Sequence, residues 1–225
     1  MFGGYGLIII VMAASWLVSW RFKSKFKKFS KEPFQRGLTG AEVARKMLEQ
    51  NGIYDVQIIS TGGNLTDHYN PANKTVNLSE SVHNERTVAA AAVAAHECGH
   101  AIQHAQAYSF LKFRSAMVPA LSISSKVMPF VILAGFFTFQ TFPAILAVGI
   151  GMFALTTLFS FVTLPVEFDA SNRALAWLES SGLSQGEELG MAKEALNWAA
   201  MTYIVGALGS LAMLLYYLSI FSGRD

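Results

Sequence analysis

Val127 to Val166 reads VMPFVILAGFFTFQTFPAILAVGIGMFALTTLFSFVTLPV, forty residues without one charge. A helix crosses the hydrocarbon core with about 20 apolar residues, so this stretch is long enough for two crossings. Gln140-Thr141-Phe142-Pro143 lies near its middle and can turn the chain. The pattern predicts a membrane-spanning helical hairpin over 116–165. Lys126 stands where its long stem can reach toward headgroups, so the first arm begins before it.

Working outward, Gly3 to Trp20 is a second charge-free run, followed at once by Arg21, Lys23, Lys25, Lys27, Lys28 and Lys31. A cleaved secretory leader carries its positive charge before the apolar run, and here the charge follows it, which predicts a retained anchor with its N-terminus outside. Ala195 to Gly223 is again uncharged and supplies a fourth span. Composition agrees: 52% of residues are hydrophobic and 14% charged, with a mean hydropathy of +0.37. This is too apolar for an ordinary soluble domain. Net charge is only +2 and no basic patch is interleaved with aromatics, so a nucleic-acid partner is not expected.

The positive-inside rule places Arg21 to Lys31 in the cytoplasm. Counting crossings then puts residues 32 to 115 and 166 to 197 on that same side. In the first of these, Thr39-Gly40-Ala41-Glu42 has the form of a capping box, with Val43, Met47 and Leu48 at helical spacing and Asn51-Gly52 as a stop. A helix is expected over 40–50. Val56 to Ser60, Leu65 to Tyr69 and Lys74 to Leu78 are short runs separated by Thr61-Gly62-Gly63-Asn64 and Asn70-Pro71-Ala72-Asn73. They predict a small antiparallel sheet. Lys74 to Leu78 is the expected edge, where an extended peptide can be added as a further strand.

His96-Glu97-Cys98-Gly99-His100 follows an Ala-rich run from Thr87 and has the H-E-x-x-H pattern of zinc hydrolases. Residues four apart share one face of a helix, so both imidazoles can address one ion while Glu97 reaches the water beside it as general base. Cys98 is the only cysteine, so no internal disulfide is available. Its expected role is helix packing rather than ligation.

Catalytic zinc takes three protein ligands and leaves a position open, so a third donor is needed. A metzincin would carry Gly and His where this chain has Gln103 and Gln106, which excludes that class. His104 lies on the same helical stripe, but about 12 Å of rise separates it from His96. Glu167 follows Leu164-Pro165-Val166 at the mouth of the third span. It is either the missing ligand or an acid favouring a helix N-terminus.

Three segments together resemble the YugP-like membrane zinc metallopeptidases: His96-Glu97-Cys98-Gly99-His100-Ala101-Ile102-Gln103-His104, the run Leu164-Pro165-Val166-Glu167-Phe168-Asp169-Ala170-Ser171, and Asp67-His68-Tyr69-Asn70-Pro71 before Leu78-Ser79. The resemblance implies a mainly α integral membrane protein with about four transmembrane helices and a small cytoplasmic α+β zincin-like domain. It implies one Zn2+ ion held by His96, His100 and Glu167 in the gluzincin manner, with Glu97 catalytic. More distantly, Glu167-Phe168-Asp169-Ala170-Ser171 is similar to the E-x-x-A-D motif of HtpX and CAAX-type membrane peptidases, with Ser171 in place of the Asp that supports a zinc-binding His. Asp169 is the expected substitute.

The resulting organisation is an anchor and basic segment over 1–31, a catalytic part over 32–115, the hairpin over 116–165, a helical segment bearing the third ligand over 166–197, and a last span over 198–225. His68, Tyr69, His104 and Arg173 are the candidate oxyanion donors. The expected partners are the lipid bilayer and a peptide or membrane-protein substrate, cut on the cytoplasmic side. An intramembrane protease and a non-catalytic zinc-stabilised scaffold are the competing readings.

Overall fold

The computed structural model describes residues 2–223 as ten elements: α1 Phe2–Phe29, α2 Gly40–Gln50, β1 Gln57–Thr61, β2 His68–Asn70, β3 Thr75–Ser79, α3 Glu80–His83, α4 Val88–Ala105, α5 Ser109–Phe137, α6 Pro143–Ser180 and α7 Gly186–Ser222. The chain divides into two compact units, one of residues 1–18, 112–164 and 202–225, the other of residues 19–111 and 165–201.

The first unit is built from apolar helix. Among the described residues four helices are long and apolar enough to cross a membrane, α1, α5, α6 and α7. The surface of this unit is apolar too: Ile9, Trp16, Ile123, Phe130 and Phe137 are each at least 65% exposed. Water would not tolerate so much exposed hydrocarbon, and lipid does. α5 and α6 form the expected hairpin, joined by a short turn over 138–142. Small residues set how closely the arms approach. A Cβ at Gly135 would stand 2.6 Å from the backbone of Leu146, and one at Gly149 would stand 2.8 Å from Ile132. With no hydrophobic force between helices in lipid, such close backbone packing is the main source of association.

The second unit has a core of its own. Thr39 and Glu42 form the expected capping box: the Glu42 amide donates to Thr39 Oγ1 (3.2 Å), and the Thr39 amide donates to Glu42 Oε2 (2.8 Å). These bonds from Thr39 hold the Glu42 carboxyl below its ordinary range. Val43, Ala44, Met47 and Leu48 on the inner face of α2 pack with Val76, Leu78, Val82 and the alanines of α4. Alanines let the helices come close: α4 buries nearly its whole first half, and Gly40 faces the Val82 carbonyl with no room for a side chain.

The sheet departs from the expectation. Its order is β1-β3-β2, with β1 parallel and β2 antiparallel to β3. Lys74 to Leu78 is therefore not an edge; the strand there, β3, is central. Thr75, Val76, Leu78 and Ser79 are all buried, so β3 is covered on both faces, whereas β1 and β2 are largely open. The Asn70–Asn73 turn makes the β2–β3 hairpin antiparallel as its residues suggest. β1 pairs with the far side of β3, and does so in parallel. Leu65 takes a left-handed backbone (φ 57°), and β2 begins at His68 rather than at Leu65.

α6 also differs in one respect that bears on the site. It runs unbroken from Pro143 to Ser180 through Pro165. Glu167 is thus mid-helix, and the reading of it as an acid at a helix N-terminus does not hold.

Candidate metal centre

His96 and His100 lie on successive turns of α4, their rings 4.8 Å apart and edge to face at 83°. Glu167 of α6 enters from the other side. Its Oε2 is 3.3 Å from His96 Nε2 and 3.6 Å from His100 Nε2, and the three donor atoms all lie within 4.8 Å of one another. Ligands at about 2.0–2.1 Å from a tetrahedral zinc are separated by about 3.3–3.4 Å, the tetrahedral edge being ~1.63 bond lengths. Two imidazole nitrogens and a carboxylate at this spacing are a fitting donor set for zinc.

The centre is enclosed. Glu167 is 2% exposed, Glu97 7% and His100 8%. Burial alone would drive the proton off His100, but the Glu167 carboxylate, with help from Glu97, outweighs it and raises the imidazole above its ordinary pKa. One carboxylate oxygen and two imidazoles in an enclosed site need their orientations fixed, and each ring has a partner at its far nitrogen.

Ser171 Oγ lies 3.1 Å from His96 Nδ1, so the hydroxyl occupies the supporting place that the motif comparison assigns to an Asp. Asp169 does not substitute there. Its Oδ2 accepts from Gln103 Nε2 (2.7 Å) and from Arg173 Nε (2.6 Å). The reason is geometric: residues 169 and 171 are two apart on α6 and face different sides of the helix. Gln103, used in the sequence only to exclude a class, is itself part of the centre. Its Oε1 is 3.0 Å from His100 Nδ1, and it is fully buried. A signal was present in a polar residue three positions after His100 on a helix flanked by Ala101 and Ile102.

The remaining candidates are arranged around the rim. Arg173 is committed to Asp169 and to Gln106 Oε1 (2.6 Å), and stacks over Tyr108. His68 Nδ1 is bonded to the Thr66 carbonyl (2.8 Å). Tyr69 and His104 are brought together: the Tyr69 hydroxyl is 2.7 Å from His104 Nδ1, linking edge strand β2 to the end of α4. His104 takes no place in the three-donor cluster. Cys98 is fully buried, its thiol facing the Ala44 carbonyl (3.5 Å), and packs α4 on α2.

Chain comparison leads to the same place as the geometry. The family described as "Putative neutral zinc metallopeptidase" matches residues 5–222. The "Putative membrane protease YugP" of Bacillus subtilis (strain 168) is 40% identical over 220 residues, covering 97% of each chain. No solved structure matches the chain. With the likeness running almost end to end and the three donors inside it, the chain belongs to this family of membrane zinc metallopeptidases.

Proposed function

We propose that the chain is a membrane-anchored zinc endopeptidase of the gluzincin type, with one ion held by His96, His100 and Glu167 and with Glu97 as its catalytic acid–base. The observation that carries this reading is the convergence of the three donors, with Glu167 Oε2 at 3.3 and 3.6 Å from the two imidazole nitrogens and all three within 4.8 Å of one another. A bound zinc ion supplies two things, a water of lowered pKa and polarisation of a peptide carbonyl.

The protein's own groups do the rest. Glu97, buried in the same helical turn as the two His, takes the proton from water at its carboxylate and delivers it to the departing amide nitrogen. The water oxygen becomes bonded to the carbonyl carbon as the C–N bond breaks, so one water is consumed per cut. Of the candidate oxyanion donors, we favour the Tyr69–His104 pair, because it joins the edge strand β2 to the helix that carries both imidazoles. β2, the edge strand joined to α4 by that pair, takes the place first expected of Lys74 to Leu78 and receives an extended peptide along its outer side.

The active unit faces the cytoplasm on this reading. Arg21, Lys23, Lys27, Lys28 and Lys31 are exposed at the C-terminal end of the first candidate span, and the count of spans returns residues 165–201 to that side. α4 is not among the four candidate spans, which favours cleavage outside the bilayer over intramembrane proteolysis.

The decisive variant is Glu97→Gln in the full chain, purified in detergent. It should keep its zinc, measured by metal analysis, and lose cleavage of a denatured protein substrate by at least about 100-fold, as removal of a general base does. Undiminished cleavage by Glu97→Gln would overturn the assignment. An unchanged cellular role for that variant would point to a scaffold instead.

A further inference from the structure

Gln103 makes three polar contacts in a fully buried position, and all three bear on the metal centre. Its Nε2 lies 2.8 Å from the Val166 carbonyl and 2.7 Å from Asp169 Oδ2, while its Oε1 lies 3.0 Å from His100 Nδ1. The amide orientation follows from its partners. The carbonyl and the carboxylate are acceptors only, so both hydrogens of the Gln103 amide are used on them. That leaves the oxygen for His100, and an oxygen can only accept. The hydrogen must therefore sit on Nδ1 of His100, which makes Nε2 the nitrogen that would take the ion.

The anchors of Gln103 are equally specific. Val166 and Asp169 flank Glu167 in the same turn of α6, and Asp169 is in turn held by Arg173. One side chain thus spans from a ligand on α4 to the turn of α6 that carries another.

We propose that Gln103 is a positioning residue that fixes the tautomer and pose of His100 and registers the α6 turn bearing Glu167 against it, with Asp169 as its anchor. The proposal rests on the reading of His96, His100 and Glu167 as zinc ligands. It gives the two imidazoles unlike supports, a hydroxyl behind His96 and an amide behind His100. Metal-binding imidazoles usually gain basicity from a carboxylate behind them, and here the Asp169 carboxylate acts on His100 through the amide.

The test uses the full chain in detergent, with zinc affinity from chelator competition and the visible spectrum of the Co2+-substituted protein as readouts. Gln103→Leu keeps the volume and removes all three bonds. It should weaken zinc binding ~10–100-fold and broaden the cobalt bands, because the ring of His100 is freed. Asp169→Leu, which leaves Gln103 present but unanchored, should follow it. Asp169→Asn should stay near wild type, since the one Asp169 oxygen that accepts both bonds has an equivalent in Asn Oδ1. A merely structural glutamine would lower thermal stability of the metal-free protein and leave the affinity and the cobalt spectrum alone.

Zinc affinity within about twofold of wild type in Gln103→Leu, with an unchanged cobalt spectrum, overturns the proposal. Should Gln103→Leu not fold, the same criterion is applied to Asp169→Leu. His100→Ala separates the two levels of the argument: if it binds zinc like wild type the ligand reading itself fails, whereas its loss of zinc beside an unaffected Gln103→Leu removes only the role of Gln103.

Discussion

Gly99 of α4 faces Ala170 of α6 so closely that a Cβ on it would stand 2.6 Å from the Ala170 carbonyl oxygen and 3.1 Å from its Cα. Gly99 precedes His100 and Ala170 is one turn past Glu167, so this glycine sets the gap across which the donors meet. An ordinary helix pays about 1 kcal/mol for glycine over alanine, and here the close approach requires it.

Gly99→Ala should therefore separate the two helices and split the donor set. The overpacking costs about 1–3 kcal/mol of stability, and zinc affinity should fall by at least about tenfold. Gly190→Ala, at a helical glycine with nothing within 4 Å of the added carbon, is the control and should be neutral or stabilising. Chelator competition on both variants decides it; full zinc affinity in Gly99→Ala would show that the helices can yield without consequence.

Ser171 gives a second expectation. Its hydroxyl is the partner of His96 Nδ1 at 3.1 Å. Ser171→Ala should weaken zinc binding by roughly tenfold, the low end for losing a ligand's supporting hydrogen bond, and Ser171→Thr, which keeps the hydroxyl, should restore most of it. Equal affinities for all three proteins would remove the hydroxyl from the centre.

Cys98 makes orientation measurable. It is the one cysteine of the chain, it is 0% exposed, and burial pushes its thiol well above the usual pKa. The thiolate is the reactive form, so the folded protein should not react with a maleimide until it is unfolded in SDS. The natural chain then serves directly as a cysteine-silent background. Tyr54→Cys, at a position 81% exposed, should be labelled by an impermeant reagent in inverted vesicles and protected in right-side-out ones. The opposite pattern would place the active unit outside.

Much of this architecture can be read from local pattern. The four spans follow from uninterrupted apolar length, α2 from Thr39 and Glu42 at capping spacing, and the imidazole pair from a four-residue interval. What local pattern lacks is partner choice. Bounding turns mark Lys74 to Leu78 as a strand but do not say that both its sides are taken, and this misplaced the sheet edge. Pro165 suggests a helix start, yet α6 passes through it, because one proline removes a single ladder bond and the bonds on either side carry the helix on. Gln103 and Asp169 are bonded across 66 positions of sequence. Nothing near either residue announces the other.

All three donors stand in the interior of two helices, with no loop contributing an atom. The centre has no slack segment to order when an ion arrives, so the entropy of assembling it has been met during folding rather than at capture. Metal uptake and loss can then proceed by rotation of side chains between two helices already in place.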